Sequence, residues 1–252
     1  MTKKSNTSFL SRILLTAFLV MWGAPVLWVL TYKWVNPPIT FLQIREGANC
    51  PEGSSFSKDW VSADQIAKHM PLAVVSSEDQ NYMKHRGLDF SAISKAEAFN
   101  AKNTKKQRGA STISQQVAKN VFLWPNRSVV RKVAEVYFTA LIELLWSKER
   151  IMEVYLNVLE TGPCTFGVEA AAQKFFKKSA AQMSREQCAL LTAAIPAPRR
   201  SNPGKPSGYL SGRQQHVLRQ MRMLGDSYFE RYRKPVSPKD VAKKKKKKKR
   251  SN

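Results

Sequence analysis

From Ile13 to Tyr32 the chain carries no charge, reading ILLTAFLVMWGAPVLWVLTY. Twenty such residues in a helix reach across the hydrocarbon core of a bilayer, so a transmembrane helix is predicted over 13–32. Lys3, Lys4 and Arg12 precede the run and only Lys33 closely follows it. That asymmetry keeps residues 1–12 in the cytoplasm and sends everything after residue 33 to the outer face. Trp28, Tyr32 and Trp34 cluster near the outer end, where interfacial aromatics collect. A cleaved signal peptide is the competing expectation, but no small-x-small site follows, and Pro37-Pro38 comes next.

Beyond residue 33 the apolar positions recur at helical spacing and strand signals are scarce. The pattern predicts helices over 62–78 (bent at Pro71), 91–101, 112–121, 128–146, 147–158 with Ser147 as cap, 167–176, and 209–224 stopped by Gly225. Ser184 to Gln187 reads as a capping box for a helix ending before Pro196. Residues 103–108 are polar and cationic, a mobile loop by composition. The expected organisation is a cytoplasmic N-terminus (1–12), the span (13–32), a linker (33–58), one all-α domain (59–234) and a disordered basic tail (235–252).

Charge sharpens this picture without deciding it. The formal net charge is +24, and Lys243 to Arg250 is eight consecutive cations. Without them the chain is still at +16, a surface suited to nucleic acid, anionic lipid headgroups or pyrophosphate-bearing ligands. The tail reads equally as a lipid-headgroup contact or as a solvated segment. The three cysteines, Cys50, Cys164 and Cys188, lack zinc-site spacing. Their odd number leaves at least one thiol unpaired. Three packed or free thiols is the expectation, with pairing of the other two left open.

Four clusters could carry chemistry. Glu78 ends an apolar stretch, Leu72-Ala73-Val74-Val75, and poor solvation there would raise its pKa toward the range of a proton-transfer group. An ordinary solvated carboxylate is the alternative. In the run Arg108 to Asn120, Ser111 or Thr112 can cap a helix whose start suits a phosphate, and Gln115 and Lys119 share a face. Arg131 and Lys132 lie one turn before Glu135, either as an intrahelical ion pair or as a carboxylate and two cations handling a diphosphate. Glu149, Glu153 and Asn157 form a stripe on a helix whose Ile151, Val154 and Leu156 face inward, and a solvated stripe is the simpler reading. A fifth cluster, Phe166 to Phe176 with its three alanines, reads as close helix packing.

Taken in order, E-D-x-x-Y-x-x-H-x-G, R-G-A-S-T-I-S-Q-Q-x-x-K-N, R-K-x-x-E, K-x-R-I-x-E-x-Y-L-N and G-V-E-A-A-A-x-x-F-F resemble the glycosyltransferase domain of peptidoglycan synthases, glycosyltransferase family 51, over about residues 60–200. One anchor and no second catalytic domain is similar to the monofunctional biosynthetic transglycosylases of that family. The resemblance implies a lysozyme-like, two-lobed all-α fold and polymerisation of lipid II into β-1,4-linked glycan with release of undecaprenyl diphosphate and inversion at the anomeric carbon. It implies Glu78 as base and Glu135 as the second essential carboxylate. It implies substrate contacts at Asp79, His85, Ser111, Thr112, Gln115, Gln116, Lys119, Asn120, Arg131, Lys132, Glu153 and Asn157. Mg²⁺ or Mn²⁺ is an option beside the diphosphate, with no dedicated protein metal site. Phe122, Leu123 and Trp124 are the expected membrane-surface groups.

The expected partners are lipid II, the growing strand, the membrane, and a penicillin-binding or division protein, with no nucleic acid. The expected location is the cytoplasmic (inner) membrane, with the domain on its periplasmic or outer face. Tyr82 stands where the family often has Phe, and Cys164 where Gly is frequent. A lytic glycosidase of the same fold is the nearest rival, but a neutral polysaccharide does not require the cations around Lys119 and Arg131. A non-catalytic, membrane-anchored basic protein is the rival from another class. Ser55-x-x-Lys58 matches a transpeptidase motif, yet no K-T-G follows.

Overall fold

A computed structural model describes residues 6–103, 107–126 and 128–232, with the side chains at 6–8, 10, 17, 18 and 21 outside that description. The described residues are mostly helical: α1 (Asn6–Trp34), α2 (Phe41–Gly47), α3 (His69–Glu78), α4 (Phe90–Lys102), α5 (Ile113–Phe122), α6 (Val129–Leu145), α7 (Lys148–Val158), α8 (Val168–Phe176), α9 (Arg185–Ala194) and α10 (Gly208–Leu224). Most starts are fixed by a side chain that accepts from an otherwise unpaired amide. Asp89, Thr112, Ser128, Ser147, Ser184 and Ser207 do this for α4, α5, α6, α7, α9 and α10. The expected helix over 62–78 is interrupted. A 3₁₀ turn, Ala63–Gln65, comes first and α3 begins at His69. Pro71 then falls in the first turn, where its missing N–H is not needed.

The core forms around α3, whose Leu72, Ala73, Val74 and Val75 are buried. That helix packs on α9 and α10, while α5 packs on α6 and α7. Ile151, Val154 and Leu156 of α7 point inward as expected. The expected tail and part of the 103–108 loop lie outside the described residues.

The linker is more structured than its composition suggests. It contains α2, started by a reciprocal Thr40–Gln43 capping box. A small sheet, also unexpected, has strand order β1-β3-β2. Its strands are β1 (Ser57–Lys58), β2 (Glu160–Gly162) and β3 (Thr165–Phe166), with β1 parallel and β2 antiparallel to β3. Cys164 turns the hairpin at φ 51°, a left-handed conformation, and is disulfide-bonded to Cys50. The expectation of three unbonded thiols is corrected accordingly. Cys188 is free and buried, and burial pushes its thiol pKa up to about 12. Arg199 adds a second tie by pairing with Glu46 of α2 and Glu160 of β2.

The C-terminal half of α1 lies on α6. Val29 is buried, Trp28 stands edge-on to Phe122 and Phe138, and the Trp146 indole donates to the Val29 carbonyl at 2.8 Å. Arg150 donates to the carbonyls of Tyr32 and Val35, at 2.9 and 3.0 Å, and to Asn36 Oδ1. Among the described residues no helix is long and apolar enough to cross a membrane. The expected span falls on α1, and its positions 17, 18 and 21 are among those whose side chains lie outside the description.

The Cys50–Cys164 bond closes a loop of 114 residues of sequence. Its removal frees the unfolded chain, at a cost of about 2–5 kcal/mol. Cys50→Ser/Cys164→Ser is expected to lower the thermal midpoint by a corresponding amount. Reductant should reproduce the shift in the parent chain and leave the double variant unmoved.

Candidate active site

Glu78 is the last residue of α3, where the apolar helix opens at a cleft. Its carboxylate is half-buried and accepts from Ser77 Oγ at 3.1 Å and Gln116 Nε2 at 3.3 Å. Loss of water raises its pKa above the ordinary value of 4.5. The hydrogen bonds from Gln116 and Ser77 and the charge of Arg213 oppose that rise, and the neighbouring Asp79 adds to it. The buried Tyr155 hydroxyl donates to Gln116 Oε1 at 3.3 Å. This turns the amide so that its NH₂ faces Glu78. Burial drives the Tyr155 pKa far up, which keeps that hydroxyl a neutral donor.

Asp79 is buried and has a different task. His85 Nε2 meets both of its oxygens, at 2.9 and 3.0 Å, and the Ile113 amide donates to Oδ2 at 3.0 Å. The Gly87 amide donates to His85 Nδ1 at 3.1 Å, so Nε2 carries the hydrogen that Asp79 receives. Gly87 sits at φ 92°, and a Cβ there would stand 2.7 Å from Thr139 Cγ2 of α6. Thr112 Oγ1 donates to the Gly87 carbonyl at 2.6 Å. The loop after α3 is thereby locked to the starts of α5 and to the middle of α6.

The cleft has a volume of about 400 Å³ and is lined by Glu78, Asp79, Ser111 and Thr112 among the expected residues. Lys95 of α4 and Arg108 line it too, and Arg108 is held over the Phe99 ring at 3.8 Å. Neither was an expected contact, nor was Arg213, whose charge acts on Glu78. An exposed lysine on a helix has no sequence signature that separates it from any other. The place of Arg108 beside Ser111 was the available signal for that residue.

The other expected residues divide. Gln116 reaches Glu78, whereas Gln115 is buried and spends its carbonyl oxygen on the Thr112 amide. Lys119 is exposed one turn beyond Gln116, and Asn120 is buried. Glu135 is buried, with Arg131 on one oxygen at 2.8 Å and Lys132 on the other at 2.5 Å. Arg131 Nε is buried without a protein partner. This cluster does not line the Glu78 cleft. It lies one helical turn from Thr139, which stands against Gly87 and donates to the Glu135 carbonyl.

Glu153 and Asn157 are not a solvated stripe. Glu153 accepts from the Ala63 amide and from Arg150. Asn157 is fully buried and bonds both backbone groups of Val61 at 2.9 Å. Glu169, in the fifth cluster, supports the fold by accepting from the Ala180 amide at 2.7 Å. Phe122 and Leu123 are also corrected, since both are core residues, with Phe122 stacked on Phe138 at 4.8 Å. Trp124 alone of that trio is exposed. Among the described residues no His, Cys, Asp and Glu group is arranged to hold a metal ion.

The family model described as "Transglycosylase" matches residues 46–222. The chain is 48% identical over 228 residues to the biosynthetic peptidoglycan transglycosylase of Bacteroides thetaiotaomicron, covering 89% of this chain and 91% of that one. It is 46% identical over 218 residues to the protein of the same name from Bdellovibrio bacteriovorus, covering 85% and 87%. Against that of Escherichia coli it is 53% identical over 171 residues, covering 68% and 71%.

A carboxylate whose pKa is raised by folding stabilises the native state only while protonated, and that contribution is lost as pH climbs from 4.5 through the folded value. As pH rises through that folded value, ionising the poorly solvated Glu78 works against the fold. Glu78→Gln is expected to be at least as stable as the parent at pH 7.5 by urea denaturation, with its advantage shrinking toward pH 4. A variant markedly less stable at pH 7.5 would contradict the desolvated carboxylate.

Proposed function

The chain belongs to the transglycosylase family, and from that premise we propose that it polymerises lipid II into β-1,4-linked glycan strands, with Glu78 as the base. The observation that carries this reading is a poorly hydrated carboxylate, held by an oriented amide, at the edge of a cleft with Lys95 and Arg108 on its lining. In this scheme Glu78 takes the proton of the acceptor sugar's 4-hydroxyl. That oxygen attacks the donor's anomeric carbon from the face opposite the lipid diphosphate, which departs with inversion. A diphosphate is a good leaving group, so the site needs cations more than a second proton donor. A glycosidase would instead present a pair of carboxyl groups across the scissile bond.

Glu135 acts in this reading by setting Arg131 and Lys132 toward the diphosphate. Arg131 Nε, buried without a protein partner, has a donor to spare for a phosphate oxygen. Lys119, exposed on α5, is a further cation assigned to the diphosphate in this reading. Mg²⁺ or Mn²⁺ would arrive with the diphosphate, since both oxygens of Glu135 already accept from cations. The fold that supports this scheme is the two-lobed, lysozyme-like one.

The proposal includes a single-pass anchor over residues 13–32 that keeps the domain on the outer face of the cytoplasmic membrane. Its support is the uncharged run inside one continuous helix, with Ile13, Leu14, Leu15, Leu19 and Val20 exposed. The disulfide fits an oxidising compartment. Val129, Val133, Val136 and Leu144 of α6, together with Trp124, are the exposed apolar groups assigned to the bilayer surface. A penicillin-binding or division protein is the proposed protein partner.

Glu78→Gln is expected to lower glycan polymerisation from lipid II by about 10²–10⁴-fold, the usual contribution of a positioned base. In the parent, kcat/KM should rise with pH through a value above 4.5, because Glu78 works ionised and burial raises its pKa. Retained activity in the variant removes Glu78 from the base role. The anchor is checked separately: the full chain should stay with membranes after alkaline carbonate extraction, and Leu19→Arg/Val20→Arg should release it.

A further inference from the structure

Behind the catalytic cleft lies a second depression of about 480 Å³, in the loop between α3 and the start of α4. Asn81 and Asp89 line both spaces. The partition is well held. Asn81 Nδ2 donates to Asp89 Oδ2 at 2.8 Å, and Asp89 Oδ1 accepts from the Ala92 amide at 3.0 Å. The one acidic side chain of the depression is therefore occupied on both oxygens. His85 also lines the space, but its ring is turned inward to Asp79.

What remains available is cationic and apolar. Lys84 and Arg86 are exposed on either side of His85, Leu88 is half-buried, and Phe90 is 73% exposed. Gly87, fixed at φ 92° against Thr139, holds the turn that presents them. Two cations beside an uncovered ring suit an anion that continues into an aliphatic body. The shared partition makes the natural occupant something already attached to a ligand in the catalytic cleft.

We infer that this depression takes the peptide borne by lipid II, a disaccharide-pentapeptide on a lipid diphosphate, with Lys84 and Arg86 meeting the peptide's carboxylates and Phe90 covering its aliphatic side chains. The inference rests on the glycosyltransferase reading and deepens it, by assigning a contact to the non-reacting part of the substrate. Binding there would add affinity for the substrate without touching the reacting atoms. Lys84 and Arg86 are binding residues in this scheme and take no part in proton transfer.

The test uses the full chain in detergent and two lipid II substrates, one with the native peptide and one with its peptide carboxylates converted to amides. Lys84→Ala/Arg86→Ala should raise KM for the native substrate about three- to tenfold, the size that two exposed charge contacts supply. Its kcat should be unchanged, as should its KM for the amidated substrate. Lys84→Arg should behave as the parent. Equal losses on both substrates, or none on either, overturn the inference while leaving the glycosyltransferase reading intact. Failure of the parent to polymerise the native substrate overturns both. A double variant that loses only its sedimentation with phosphatidylglycerol vesicles, with no peptide-dependent change in KM, assigns the cations to lipid and overturns the inference.

Discussion

Asp79 is the residue on which the geometry of the cleft depends. A buried carboxylate is costly unless every oxygen finds a donor, and here the donors come from two different parts of the chain. His85 belongs to the loop after α3, and the Ile113 amide is the first of α5. Satisfying one charge therefore joins the end of α3, the loop and the start of α5. Glu78, the adjacent residue, is left facing Gln116 three positions into α5. The two acids are neighbours with opposite fates: one fully paired and inert, the other half-buried and held only by neutral donors.

A second network joins the long first helix to the rest. The last carbonyls of any helix lack partners within it, and in α1 they are met by Arg150 of α7. The same arginine pairs with Glu153, which in turn accepts from the Ala63 amide. The fourth motif therefore serves as scaffold at three of its positions, Arg150, Glu153 and Asn157. Tyr82 explains another departure from the family pattern. Its hydroxyl donates to the Lys148 carbonyl at 2.6 Å, a bond that Phe could not make.

Much of the fold was legible because the helices are marked locally. Serine, threonine or aspartate stands at most starts, and the apolar spacing of α5, α6 and α7 is unambiguous. The small sheet was not legible, since strands of two or three residues carry no period. The disulfide was hidden for a related reason: Cys50 and Cys164 stand 114 positions apart, and only the tertiary fold brings them together. At the site, Glu78 was readable from the apolar run before it, whereas Asn157 misled because its spacing with Glu149 and Glu153 suggested a wet face. Its buried amide answers backbone groups of Val61, 96 positions away, which no helical wheel can reveal. Lys95 and Arg108 reach the cleft through the packing of α4, again a long-range result.

The docking of α1 divides that helix into two parts of different character. From Trp22, edge-on to Tyr137, through Trp28, Val29 and Tyr32, the helix is held by partners on α5, α6 and α7 and by Trp146 between the last two. Exchanging the helix N-terminal to Trp22 for a foreign segment would leave these seats intact. A junction placed between 28 and 36 would replace Trp22 and Trp28, whose rings meet Tyr137, Phe122 and Phe138, and would leave Trp146 and Arg150 only the main-chain carbonyls to hold. The boundary for building chimeras is thus set by side chains in the globular part, well inside the apolar run that hydropathy alone would treat as one interchangeable unit.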